Sequence, residues 1–138
     1  MTRKTLNILA AGLVAFSMGA VATAAPAHAG GQVSITYNPK NAKDEKALKT
    51  GLALYSLFNN VKNSGSIKQK GNNNSAGLGQ NGKGNSGVIH QEGNGHNGTL
   101  QQNGNNNSYG LFQFGKNTNG NVTQNGNGKT GATVQFGW

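Results

Sequence analysis

Glutamine recurs every eleven residues without a slip, at Gln69, Gln80, Gln91, Gln102, Gln113, Gln124 and Gln135. A phase held this strictly restricts the chain to a stack of like units, because no eleven-residue unit can bury a face by itself. Other positions keep the same phase. Gly follows each Gln by two, at Gly71, Gly82, Gly93, Gly104, Gly115, Gly126 and Gly137. An aliphatic residue precedes it by two, at Ile67, Leu78, Ile89, Leu100, Leu111 and Val122, with Thr133 in the last unit. Four residues before Gln the residue is small (Gly65, Ala76, Gly87, Gly98, Gly120, Gly131), except at Tyr109. Six before it stands Asn in four units (Asn63, Asn74, Asn85, Asn107), replaced by His96, Thr118 and Lys129 in the others.

The unit reads N-x-small-x-aliphatic-x-Q-x-G-x-x. Its marked positions alternate with period two, the signature of a strand with one face turned inward. The Gly after Gln opens a short turn rich in Gly, Asn and Lys. Eleven residues also fit three helical turns, but 18 of the 76 residues from Asn63 onward are Gly, which excludes a helix. Two facing strands make a rung of 22 residues, and rungs stack in parallel at about 4.8 Å. The expected fold is all-β: a parallel β-solenoid with two strands per rung, preceded by a short strand and a helix. Inward Gln and Asn stack on their equivalents in the next rung, so that buried amides bond along the stack.

Composition alone suggests disorder instead. The chain has 23 Gly, 22 Asn and only 33% hydrophobic residues, too few for a conventional oily core. Disorder, however, needs no register. The 22-residue rung also sorts the outward residues. One face reads Lys70, Glu92, Phe114, Phe136 after Gln and Lys68, His90, Phe112, Val134 before it; the other carries Asn81, Asn103 and Asn125. This predicts an exposed apolar patch of Phe112, Phe114, Val134 and Phe136. Tyr109 is expected to use room left by Gly98 and Gly120.

The pattern Q-x-G-x-x-N, with an aliphatic two residues before Gln, resembles the curlin repeat over residues 63–138. Curlins are the subunits of curli, secreted bacterial amyloid fibres. The resemblance implies a two-strand solenoid rung, passage through a dedicated outer-membrane pore, and nucleated self-assembly into a homopolymeric fibre at the cell surface. It also implies a nucleator subunit as partner, and roles in adhesion and biofilm matrix. The inward residues it marks for assembly are the seven Gln together with Asn63, Asn74, Asn85 and Asn107. The strict eleven, the basic charge and the loss of Asn at Thr118 and Lys129 depart from the family pattern, which leaves open a major or a nucleating subunit.

Outside the repeats, Arg3 and Lys4, an apolar run from Leu6 to Met18 and Ala27-His28-Ala29 have the layout of a signal peptide over residues 1–29. Without Arg3 and Lys4 the net charge falls from +9 to +7. Exported and lacking Cys, the protein needs a source of stability other than disulfides. Within 30–62, the alternation Gln32 to Tyr37 predicts a strand ended by Asn38-Pro39. Asn41 or Asp44 is placed to cap a helix over about 43–59 that covers the first rung; the alternative is that Leu52 to Phe58 joins the fibre as a further strand.

Chemistry-bearing motifs dissolve into the repeat. Three G-x-G-x-x-G matches share one phase and are turn glycines, not a dinucleotide site. Gly128-Lys129-Thr130 lacks the Gly a phosphate loop needs at position 123, which is Thr. His90, Glu92 and His96 have metal-like spacing, but the rung model sends His90 and Glu92 outward and His96 inward. No catalytic residue, cofactor, metal or small-molecule substrate is expected. The competing function is a monomeric solenoid that binds a glycan or an anionic polymer through its +7 charge.

Overall fold

A computed structural model describes residues 30–58 and 65–138. The signal-peptide reading and Asn63 lie outside the described residues. The elements are β1 (Gln32–Tyr37), α1 (Ala42–Phe58), β2 (Gly65–Lys70), β3 (Ser75–Asn81), β4 (Ser86–Asn94), β5 (Asn97–Asn103), β6 (Ser108–Lys116), β7 (Asn119–Asn125) and β8 (Thr130–Gly137). The repeat strands alternate between two sheets. One has the order β1-β8-β6-β4-β2 and the other β3-β5-β7. All repeat pairings are parallel and shifted by 22 residues, as in Gln69↔Gln91, Gln91↔Gln113 and Gln113↔Gln135. The fold is the expected β-solenoid of about three turns.

Strand length and turn chemistry explain the period. Each turn has two residues at positive φ. The first is the Gly two after Gln, for example Gly82 at 115°. The second lies four after Gln and is always Asn or Gly: Asn73, Gly84, Gly95, Asn106, Asn117 and Gly128. Only these residue types enter the left-handed region at little cost. The first Gly is also required by space. A Cβ on Gly82 would lie 2.0 Å from the carbonyl oxygen of Gly104 in the next rung. Gly137 is the exception to the expected turn role, because it ends β8 and pairs with Gln32 and Gly115.

Two apolar clusters flank the five-stranded sheet. Inside the solenoid lie Ile89, Leu100, Leu111 and Tyr109, with Ala76, Leu78 and Val122 beside them. Tyr109 fits by a different route from the one expected. Its ring lies against Gly131 of the following strand, where a Cβ would come within 2.4 Å, and its hydroxyl bonds Thr133 Oγ1 at 2.7 Å. Outside, Leu48, Leu52 and Tyr55 of α1 pack on Val88, Phe112, Ala132 and Val134.

This second cluster corrects two expectations. Phe112 and Val134 do point outward from the solenoid, but α1 covers and buries them; of the expected patch Phe136 alone is exposed and Phe114 is half-buried. Nor does α1 cap the first rung; it contacts β6 and β8 along the side of the sheet. The reason is chemical: the outward face turns from charged to aromatic toward β8, and Gly110 leaves room for Leu52. Each fully buried side chain of this size contributes about 1.5–3 kcal/mol. Asn41 starts the helix, its Oδ1 accepting from the Asp44 N–H and its Nδ2 donating to Asp44 Oδ2, both at 2.8 Å. Residues 52–58 are helical and form no strand.

Candidate functional site

The inward Gln residues form two continuous ladders. In the five-stranded sheet Gln69 Nε2 donates to Gln91 Oε1 at 2.8 Å, Gln91 to Gln113 at 2.7 Å and Gln113 to Gln135 at 2.8 Å. In the three-stranded sheet Gln80 donates to Gln102, and Gln102 to Gln124, both at 2.9 Å. Every donor faces the following rung and every acceptor the preceding one, so the ladders have a direction.

The same amides tie the two sheets together, a function the periodicity did not reveal. Gln91 Nε2 also donates to Ser75 O at 2.7 Å, Gln113 Nε2 to Asn97 O at 2.9 Å and Gln102 Nε2 to Ser86 O at 3.1 Å. Each accepting carbonyl begins a strand of the opposite sheet. Gln124 and Gln135 repeat the contact at Ser108 O and Asn119 O. Among the described residues no buried side-chain nitrogen or oxygen lacks a partner, as a polar interior requires.

The Asn positions bond differently from the expected side-chain ladder. Asn74 Nδ2 donates to Gly93 O at 2.9 Å and its Oδ1 accepts from His96 N at 3.0 Å. Asn85 holds Gly104 O and Asn107 N, and Asn107 holds Gly126 O and Lys129 N. The shorter amide reaches the backbone of the next turn instead of its own equivalent. Where the sequence departs from Asn, a different pair substitutes: His96 Nδ1 bonds Thr118 Oγ1 at 2.7 Å.

The aliphatic column is buried in the middle and open at the first rung. Ile89, Leu100 and Leu111 are at most 1% exposed, whereas Ile67 is 43% exposed. Leu78 and Val122, at the edges of the smaller sheet, are half-buried. The opposite end is closed on one side. β1 pairs antiparallel with β8, with Ser34 opposite Gln135 and Thr36 opposite Thr133. Gln135 Nε2 donates to Ser34 Oγ at 3.4 Å, and the Thr36 and Thr133 hydroxyls bond at 2.9 Å. Trp138 and Gly31 extend the pairing by two backbone bonds of 3.0 and 3.2 Å. The C-terminal edge at Gln135 and Phe136 is therefore covered by β1. Thr in place of the aliphatic at 133 was the sequence signal for a polar closure.

His90 and His96 do not converge. His96 sits inside the solenoid, while His90 lies beneath α1, bonded through Nδ1 to the Tyr55 hydroxyl and 3.8 Å from Glu92. Burial holds His90 below the ordinary imidazole range, and Lys68 acts in the same sense. The Lys70 ammonium, 2.8 Å away, holds Glu92 below the usual carboxylate range. Among the described residues no group of three or more His, Cys, Asp or Glu is placed to hold a metal ion.

Residues 62–86 match the family described as the curlin associated repeat. No curated protein and no solved structure matches the chain. The matched segment spans β2, the first turn and β3, and the same register continues through β8. Over the matched segment the chain is similar to the curlin associated repeat, and the solenoid carries that register on to β8.

Proposed function

We propose that the chain is an exported structural subunit that polymerises by strand addition into curli-like amyloid fibres at the bacterial surface, serving adhesion and biofilm matrix. Its partners in this reading are further copies of itself, a nucleating subunit and an outer-membrane pore, with weak binding to anionic matrix polymers. It performs no catalysis. The observation that carries the reading is the first rung. There a core aliphatic, Ile67, stands 43% exposed at an edge that also carries Gln69, the first member of a directional amide ladder. Among the described residues no strand pairs with the outer edge of β2, and such an edge can take another strand.

The test is incubation of residues 30–138 with thioflavin fluorescence, microscopy and fibre diffraction. Fibres with a 4.7–4.8 Å meridional spacing are expected. A protein that remains monomeric for days would overturn the proposal. Salt-sensitive binding of a polyanion by that monomer would favour the solenoid binding module instead.

A further inference from the structure

The two ends of the solenoid do not match by simple translation. Four repeat strands lie in one sheet and three in the other. Among the described residues, no strand pairs with the outer edge of β7. A cleft of about 510 Å³ lies along that edge, lined among others by Tyr109, Val122, Gln124 and Lys129. If a second copy stacked without rotation, its β2 would meet β8 and this half-rung would stay empty. Unpaired backbone and a void inside a stack are both costly.

Resting on the fibre reading above, we propose that the β7/β8 end is a socket for the first rung of a second copy turned by half a rotation, its β2 on β7 and its β3 on β8. The phases agree at every inward position. Incoming Ile67 falls beside Val122 and incoming Gln69 beside Gln124; on the other sheet Leu78 falls beside Thr133 and Gln80 beside Gln135. The ladders also agree in direction. The Gln124 and Gln135 amide nitrogens lie toward this end, beyond the oxygens that accept from Gln102 and Gln113, while the Gln69 and Gln80 nitrogens point into the stack.

β1 occupies the seat of the incoming β3. It is a poor substitute for a repeat strand. Its Ser34 takes the Gln135 donor at 3.4 Å, against 2.7–2.9 Å within the ladders. It runs antiparallel, and Gln32, Val33, Ser34 and Thr36 are exposed or half-exposed. A peripheral strand with so little buried surface opens at low free energy. Growth therefore proceeds by replacing β1 with β3 of the next copy.

Two measurements test the socket. Helical reconstruction of the fibres reads the subunit step. Three and a half rungs of about 4.8 Å give a rise of about 17 Å with a rotation near 180°. Unrotated stacking gives four rungs, about 19 Å, and would overturn the proposal, as would any other step. The second measurement uses Val33→Cys with Phe136→Cys. These positions are direct cross-strand partners on β1 and β8, both exposed, in a chain that has no other Cys. Oxidised, β1 is locked and fibre growth is lost; a small fraction of locked protein added to growing fibres terminates them. Reduced, the same polypeptide grows. Equal growth in both states overturns the socket and leaves the fibre reading standing. No fibres in the reduced state overturns both.

Discussion

The first and last rungs carry the same repeat and end it in opposite ways. At the first, Ile67 is 43% exposed and Gln69 gives its amide to Gln91 alone in the ladder. At the last, Thr133 stands in the aliphatic column, 4% exposed, between the hydroxyls of Tyr109 and Thr36. One end keeps the apolar residue although nothing described covers it. The other gives it up for a hydroxyl that a short non-repeat strand can satisfy. An apolar residue held at an open edge contributes little to an isolated chain. In the proposed fibre its weight would fall on contacts made beyond the chain, and the closed end shows that a self-contained alternative was chemically within reach.

The largest effect that would break this contrast comes from the aliphatic column. Leu111→Ala removes a fully buried side chain and is expected to destabilise the monomer by about 2–5 kcal/mol. Ile67→Ala, at the open edge, is expected to cost about 1 kcal/mol or less, because much of the side chain is already in water. Urea unfolding measures both. If fibres form, the order reverses for growth rate, with Ile67→Ala the more damaging per unit of lost stability. Equal costs in the monomer would show that something covers the first rung.

The amide ladder gives the next largest contrast. Gln113→Ala leaves Asn97 O and Gln135 Oε1 without their donor and opens a gap beside Leu111. A loss of about 2–4 kcal/mol is expected. Gln69→Ala deletes one part-buried bond at the edge and should cost about 1 kcal/mol or less. Thermal and urea midpoints on the pair give the comparison. Similar losses would mean that the ladder contributes by stacking alone and not through the bonds that cross to Ser75, Asn97 and their equivalents.

These two contrasts rest on features legible in the sequence, because a strict period projects directly onto stacked positions. Knowing that Gln repeats by eleven and rungs by 22 is enough to place Gln69 over Gln91 and Phe112 over Val134. The turns were half legible. Gly two after Gln keeps the phase of the repeat, while the second positive-φ position, four after Gln, varies between Asn and Gly and so hides its restriction. The closed end is legible only as a break in the aliphatic column at Thr133, and the strand that closes it is not. The contact of β1 with β8 joins residues about a hundred apart, one of them outside the repeat, and alternation in Gln32 to Tyr37 specifies a strand without specifying its neighbour. The helix was readable from Leu48, Leu52 and Tyr55. Its seat was not, because that depends on an outward apolar strip and on the space at Gly110, which only the assembled sheet creates.

A smaller effect tests how firmly the closed end is held. Asn41→Ala removes the cap that starts α1 and is expected to cost about 1 kcal/mol. The loss should appear at the closed end alone. Trp138, the chain's single Trp, packs against Gly31 and pairs with its backbone, so its fluorescence reports the β1 end. An emission shift at lower denaturant than the loss of β signal is expected in Asn41→Ala. Coincident transitions would show that α1, β1 and the rungs unfold as one unit.

The smallest effect is a pH dependence confined to the same region. His90 lies between Tyr55 of α1, Glu92 of its own strand, and Lys68 and Lys70 of β2, with the Phe114 ring beside it. Burial lowers its folded pKa below the ordinary 6.5. The unfolded chain then binds the proton more readily than the folded one, so stability is fully present above about 6.5 and falls as pH drops from there toward the folded value. Glu92 shifts downward as well, which adds a loss of the same sign below about 4.5. Between these values His90 contributes a slope of this sign. Its size is limited because Glu92 pulls His90 upward against the burial. The expected result is a melting temperature that declines from pH 7 to pH 5 in the parent and less steeply in His90→Gln, which cannot take up a proton. Parallel declines would place the acid sensitivity elsewhere and leave the Tyr55–His90 bond a packing contact without a titrating role.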